Sequence, residues 1–78
     1  MLLVEFTIEP FVAGEPGPHV LAAVAAVEAL GHEVEFGPFG SSCRIDPAQV
    51  GVVTSAIVEQ AYANGATHVS VHTERLEP

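Results

Sequence analysis

The stretch Leu2-Leu3-Val4-Glu5-Phe6-Thr7-Ile8-Glu9-Pro10 decides how the rest of the chain reads. Leu2, Val4, Phe6 and Ile8 alternate with Leu3, Glu5, Thr7 and Glu9. A period of two with one apolar face is the mark of a half-buried strand. Pro10, which has no N–H to donate to a ladder, closes it. A strand wet on one side needs cover on the other, so amphipathic helices are expected downstream.

Phe11 to Pro18 holds two Gly and two Pro and reads as a loop. His19 to Leu30 then reads as a helix, with Val20, Val24, Val27 and Leu30 at helical spacing and Ala between them for close packing. Pro18 suits a helix start, and Gly31 suits the left-handed position just past the end. Glu33 to Phe36 predicts a short second strand, with Val34 and Phe36 facing the core. Gly37-Pro38-Phe39-Gly40 is a turn, and Ser41 to Ile45 a third strand with Ser41, Cys43 and Ile45 on one face. Asp46-Pro47-Ala48-Gln49 opens the second helix: Asp46 as N-cap, Pro47 at the first position, Gln49 bonding back as in a capping box. Val50, Val53, Ile57 and Ala61 form its apolar stripe, and Asn64-Gly65 ends it. Thr67 to Glu74 alternates again, Val69, Val71 and Thr73 against His68, Ser70, His72 and Glu74; Leu76 to Pro78 is a tail.

The order βαββαβ predicts an α+β, ferredoxin-like fold: one four-stranded antiparallel sheet in the order 4-1-3-2, with two helices on one face. The 78 residues form one domain, 1–78. A chain of this size buries only roughly 60% of its unfolded surface, so association into a homo-dimer or homo-tetramer is expected. Apolar residues make up 49%, which argues against disorder, and no apolar run approaches a bilayer span. The segment from Met1 to Phe6 lacks a basic n-region, and one cysteine cannot form an intrachain disulfide. A cytoplasmic location is therefore expected.

Ten acidic residues against two basic ones give a net charge of −8 with neutral His. Such a surface repels phosphate backbones and anionic lipid, so neither nucleic acid nor membrane is an expected partner. RNA-binding relatives of this fold use sheet aromatics in a basic surround, and this chain has no Trp, one Tyr, and only Arg44 and Arg75 as fixed cations. A cationic ligand suits it better.

In this architecture the open sheet face carries Glu5, Thr7, Glu9, Glu33, Glu35, Ser42, Arg44, His68, Ser70, His72 and Glu74. A solvated face is the ordinary reading of such a surface, and a ligand floor or an oligomer contact the alternative. The C-terminal end of the first strand should gather three loops, with Phe39-Gly40-Ser41 beside Glu9-Pro10 and with Thr67-His68 and Gly17-Pro18-His19 close by. Gly40 would let a backbone approach a ligand, Phe39 could stack on a flat ring, and Ser41 could hydrogen-bond. Turn chemistry alone also accounts for Gly37-Pro38-Phe39-Gly40, as a tight hairpin whose Phe caps the core.

Val4-Glu5-Phe6-Thr7-Ile8-Glu9-Pro10-Phe11, Pro18-His19-Val20, Gly37-Pro38-Phe39-Gly40-Ser41 and Gly65-Ala66 before the last strand occur in an order that resembles the small thiamine-binding (YkoF-like) proteins. The resemblance spans nearly the whole chain. It implies a ferredoxin-like fold, dimers and tetramers formed through the sheets, and non-catalytic binding of thiamine or its hydroxymethylpyrimidine moiety. At Arg44 the chain departs from the family, whose members often carry an acidic residue there. With a thiazolium cation and an aminopyrimidine as ligand, Glu5 would pair with the charge or the exocyclic amine, Phe39 would stack, and Glu9, Thr7, Gly40 and Ser41 would complete the ligand-binding set.

Other chemistry finds less support. His68 and His72 share a strand face but lie about 13 Å apart along it, too far for one ion. Cys43 is expected to face the core as a small hydrophobe, and His19 and His32 to be exposed at helix ends. Ser41, Ser42, His68 and His72 have no spacing that suggests a nucleophile, base and orienter, and the loop after the first strand lacks the cation that a phosphate-cradling loop needs. No catalytic residue, metal or cofactor is expected. The remaining alternative is an oligomerising protein-interaction domain without a small-molecule ligand.

Overall fold

The structure, a computed structural model, describes residues 1–12, 14–37 and 40–77. Strand β1 spans Leu2–Glu9, helix α1 Pro18–Ala29, strand β2 Glu35–Phe36, strand β3 Ser41–Ile45, helix α2 Val50–Ala63 and strand β4 His68–Arg75. The four strands form one antiparallel sheet in the order β2-β3-β1-β4, which is the expected order counted from the opposite edge. The fold is α+β and ferredoxin-like.

Alternation along β1 becomes burial. Val4, Phe6 and Ile8 are buried while Glu5, Thr7 and Glu9 are exposed. Cys43 and Ile45 of β3 join them on the inner face of the sheet. The helices close this face with Ala23, Val24 and Val27 of α1 and Val53, Ile57 and Ala61 of α2. The small Ala residues let α1 and α2 pack directly on each other. Each fully buried Val or Ile contributes about 1.5–3 kcal/mol by leaving water, which matters in a domain this small.

Both helices end the same way. Gly31 and Gly65 adopt φ of +93° and +102°. Gly31 N–H donates to Glu28 O and His32 N–H to Val27 O; Gly65 N–H donates to Tyr62 O and Ala66 N–H to Ala61 O. These are paired Schellman closures, in which glycine takes the left-handed position that a Cβ would disfavour.

Four expectations need correction. Strand β2 is two residues long, not four: Glu35 and Phe36 pair with Ser42 and Ser41, and Glu33 lies before the strand. Phe36 is 57% exposed: β2 is a two-residue edge strand paired with β3 alone, and the Phe36 ring stands outside the core cluster. The second helix opens through a single 3₁₀ turn, Pro47–Gln49, in which Asp46 Oδ1 accepts from Ala48 N–H and Gln49 N–H donates to Asp46 O, in place of a capping box. His19 and His32 are not free helix-end side chains. His19 is buried and bonded to Pro10 O just after β1, and His32, whose N–H donates to Val27 O in the Schellman closure, is half-buried. No helix among the described residues is long and apolar enough to cross a membrane.

Candidate functional site

Strand β1 outruns β3. Its pairing with β4 extends from Leu2↔Arg75 to Glu9↔His68, whereas its pairing with β3 reaches only Phe6↔Ser41 among the described residues. Ser41 and Gly40 therefore meet β1 at Phe6 and Thr7, three residues short of the expected neighbourhood of Glu9-Pro10. The approach is close: a Cβ on Gly40 would lie 2.9 Å from Thr7 Cγ2 and 3.0 Å from Phe6 O. Gly37 N–H donates to Gly40 O across the turn at 2.6 Å. Glycine at 40 is what allows the hairpin to lie flat on β1.

Two hollows flank this contact. On the helix side, a hollow of about 580 Å³ opens between β1, the start of α1, the loop joining them and the hairpin. Phe11, Val12, Leu21 and Phe36 line it, and each is more than half exposed. Phe6, Ile8 and Val20 form its floor from the edge of the core. Glu15 is the one charged side chain among its described lining residues. A space of this size, walled by apolar groups with a few polar ones, has the dimensions of a small-molecule site.

The second hollow, about 420 Å³, lies on the open sheet face between Glu5, Thr7, Ser42, Ser70 and His72. Register explains its composition. Glu35 pairs with Ser42, Ser42 with Glu5, and Glu5 with His72, so one row of four side chains crosses the sheet. Thr7 and Ser70 form the adjacent row.

The expected site residues divide between these places. Thr7, Gly40 and Ser41 border both hollows; Ser41, 7% exposed, belongs to the inner row with Phe6 and Val71. Glu5 borders only the hollow on the open face. Glu9 lines neither; its Oε2 lies 3.4 Å from His68 Nδ1. Phe39 lies outside the described residues. Sequence reasoning did not single out Phe11, Val12, Glu15, Leu21 or Phe36. The one available signal was the apolar pair Phe11-Val12 at the head of a loop otherwise rich in Gly and Pro.

The wall formed by the β1–α1 loop is tied at both ends. The peptide bond Glu9–Pro10 is cis. His19 Nε2 donates to Pro10 O at 2.7 Å, joining the exit of β1 to the first turn of α1. Gly17 makes room for the ring, since a Cβ there would lie 2.5 Å from His19 Cε1. Between these ties, Glu15 N–H donates to Val12 O, and Gly14 turns the chain at a φ of +77°.

Cys43 stays in the core, where desolvation raises its thiol pKa above the usual 9.0 and keeps it protonated. Among the described residues, no three His, Cys, Asp or Glu side chains come together as a metal would require. No protein-family model and no curated protein matches the chain.

Proposed function

We propose that this protein is a non-catalytic small-molecule binding protein whose ligand is thiamine or its hydroxymethylpyrimidine moiety, held in the hollow on the helix side. The hollow itself carries this reading: Phe11, Val12, Leu21 and Phe36 remain in water around a space of ring size. A small domain leaves such a group of large apolar side chains uncovered at a cost, and a flat heteroaromatic ligand would cover them. Thr7 and Ser41 supply hydroxyls at the rim, and the hairpin backbone at Gly37 and Gly40 offers close approach. The acidic surface favours a ligand with a positive charge. The chain binds and releases its ligand unchanged, as a carrier, buffer or sensor.

The second reading is an oligomerising interaction domain without a ligand. Strand β4 favours it: eight residues long, it pairs with β1 on one side and forms the edge of the sheet on the other. A homo-dimer or homo-tetramer is compatible with both readings. Isothermal titration with thiamine, and separately with hydroxymethylpyrimidine, tells them apart. Saturable binding is expected. Absence of heat with both ligands, from a folded protein, would leave the interaction domain in its place.

A further inference from the structure

We infer that Glu15 is the specificity-determining residue of the helix-side hollow, which therefore accepts a planar ring bearing a positive charge or an amino group and refuses anionic ligands such as phosphate esters. The identity of the natural ligand rests on the function proposed above; the charge selection rests on the hollow alone.

Glu15 is the single charged group among the described residues around this apolar space. Glu15 is exposed at the mouth of this space, so a charged ring seated against the apolar walls meets its carboxylate at the rim, which favours a cation and opposes an anion. Its position is built. Glu15 N–H is held by Val12 O, Gly14 supplies the left-handed turn before it, and Pro16 restricts the backbone after it. The bond from His19 to Pro10 O ties together the ends of this segment. Among the described residues that line the hollow there is no Arg or Lys to answer it. Arg44 and Arg75 pair in register with Leu3 and Leu2, at the opposite end of β1 from Ile8 and Pro10. That places them roughly 15 Å or more away along the strand. A phosphate in the hollow would meet Glu15 and no counter-charge. Glu5, the acidic residue first expected to meet the ligand, borders the other side of the sheet.

The test compares the wild-type chain with Glu15→Gln, Glu15→Lys and Glu5→Gln, each checked for native circular dichroism. Two dyes of opposite charge, cationic thioflavin T and anionic anilinonaphthalene sulfonate, are titrated by fluorescence; thiamine and thiamine monophosphate are titrated by calorimetry. Wild type is expected to bind the cationic dye and thiamine, and to bind the anionic dye and the phosphate ester far more weakly. Glu15→Gln should weaken the cationic probes about two- to fivefold, as for a lost solvent-exposed ion pair. Glu15→Lys should admit the anions, and Glu5→Gln should change little. Equal affinity of wild type for both dyes, or unchanged cation binding in Glu15→Gln, overturns the inference. Glu15-dependent binding of the cationic dye without binding of thiamine or its pyrimidine would remove the proposed ligand and keep the charge selection. Thiamine binding indifferent to Glu15 would do the reverse, and no binding of any probe removes both.

Discussion

His19 Nε2 lies 2.7 Å from the carbonyl oxygen of Pro10, so a buried imidazole on α1 joins the two ends of the loop that walls the larger hollow. This one contact links the stability of the fold to the shape of the candidate site. Replacing His19 by Ala should cost about 1–3 kcal/mol, since it removes the donor to Pro10 O and empties the space beside Gly17. In a domain of this size that lowers Tm by roughly 4–8 °C for each kcal/mol. Thermal melting reads the loss of stability. Ligand titration should show weaker binding too, although His19 does not line the hollow.

Gly40→Ala is expected to separate the hairpin from β1. The new methyl would meet Thr7 Cγ2 at 2.9 Å and Phe6 O at 3.0 Å, and the carbonyl cannot move without disturbing the central strand. A cost of about 1–3 kcal/mol follows from such overpacking. Thr7→Ser removes the methyl clash and leaves the carbonyl one, so the double variant should regain only part of the stability. Full recovery in denaturant unfolding would place the strain on the side chain alone.

Exposed and buried apolar residues should separate cleanly by phenotype. Ile57 is fully buried beneath the sheet, and Ile57→Ala should cost about 2–5 kcal/mol. Leu21 and Phe36 are 52% and 57% exposed, so Leu21→Ser and Phe36→Ser should stay within about 0.5 kcal/mol of wild type. These two variants should lose ligand affinity instead. Paired urea melts and binding isotherms check the contrast.

The thiol of Cys43 gives the fold a pH dependence on the alkaline side. Burial raises its pKa above 9.0 in the folded chain, whereas the unfolded thiol ionises at its ordinary value. As pH rises, the unfolded chain therefore loses this proton first. The stability linked to the neutral thiol is intact below about pH 9 and is lost as pH climbs from there through the folded value. Cys43→Ala should flatten this part of the stability curve, whatever its cost at neutral pH. Native Cys43 should also resist alkylation until denaturant exposes it.

The faces of the strands were legible in the sequence because a period of two leaves no choice about which side of β1 or β3 is apolar. The helix ends were legible because Gly31 and Gly65 stand where a left-handed residue is needed. The larger hollow was not. Whether Phe36 and Leu21 are covered depends on how β2, α1 and the β1–α1 loop come together around the end of β1, which is tertiary and not set by any local pattern. A His just inside a helix start resembles a solvated end residue until the carbonyl of Pro10 is brought beneath it. Glu15, among Gly and Pro in a loop, carries no sign in the sequence that it will border an apolar hollow. That Thr7, Gly40 and Ser41 border the hollows follows from features legible in the sequence: Thr7 lies on a central strand, and Gly40-Ser41 leaves a Gly-rich turn into the strand beside it.

The central claim, that a small ligand occupies the hollow beside the hairpin, is tested most directly by amide proton–nitrogen correlation spectra recorded during titration with thiamine. The expected result is a saturable set of shifts confined to Phe11, Gly14, Glu15, Leu21, Phe36, Gly37 and Gly40, with α2 and the far end of β4 unmoved. Spectra that do not change at saturating ligand, or shifts that gather on β4 while the hollow stays silent, would contradict it.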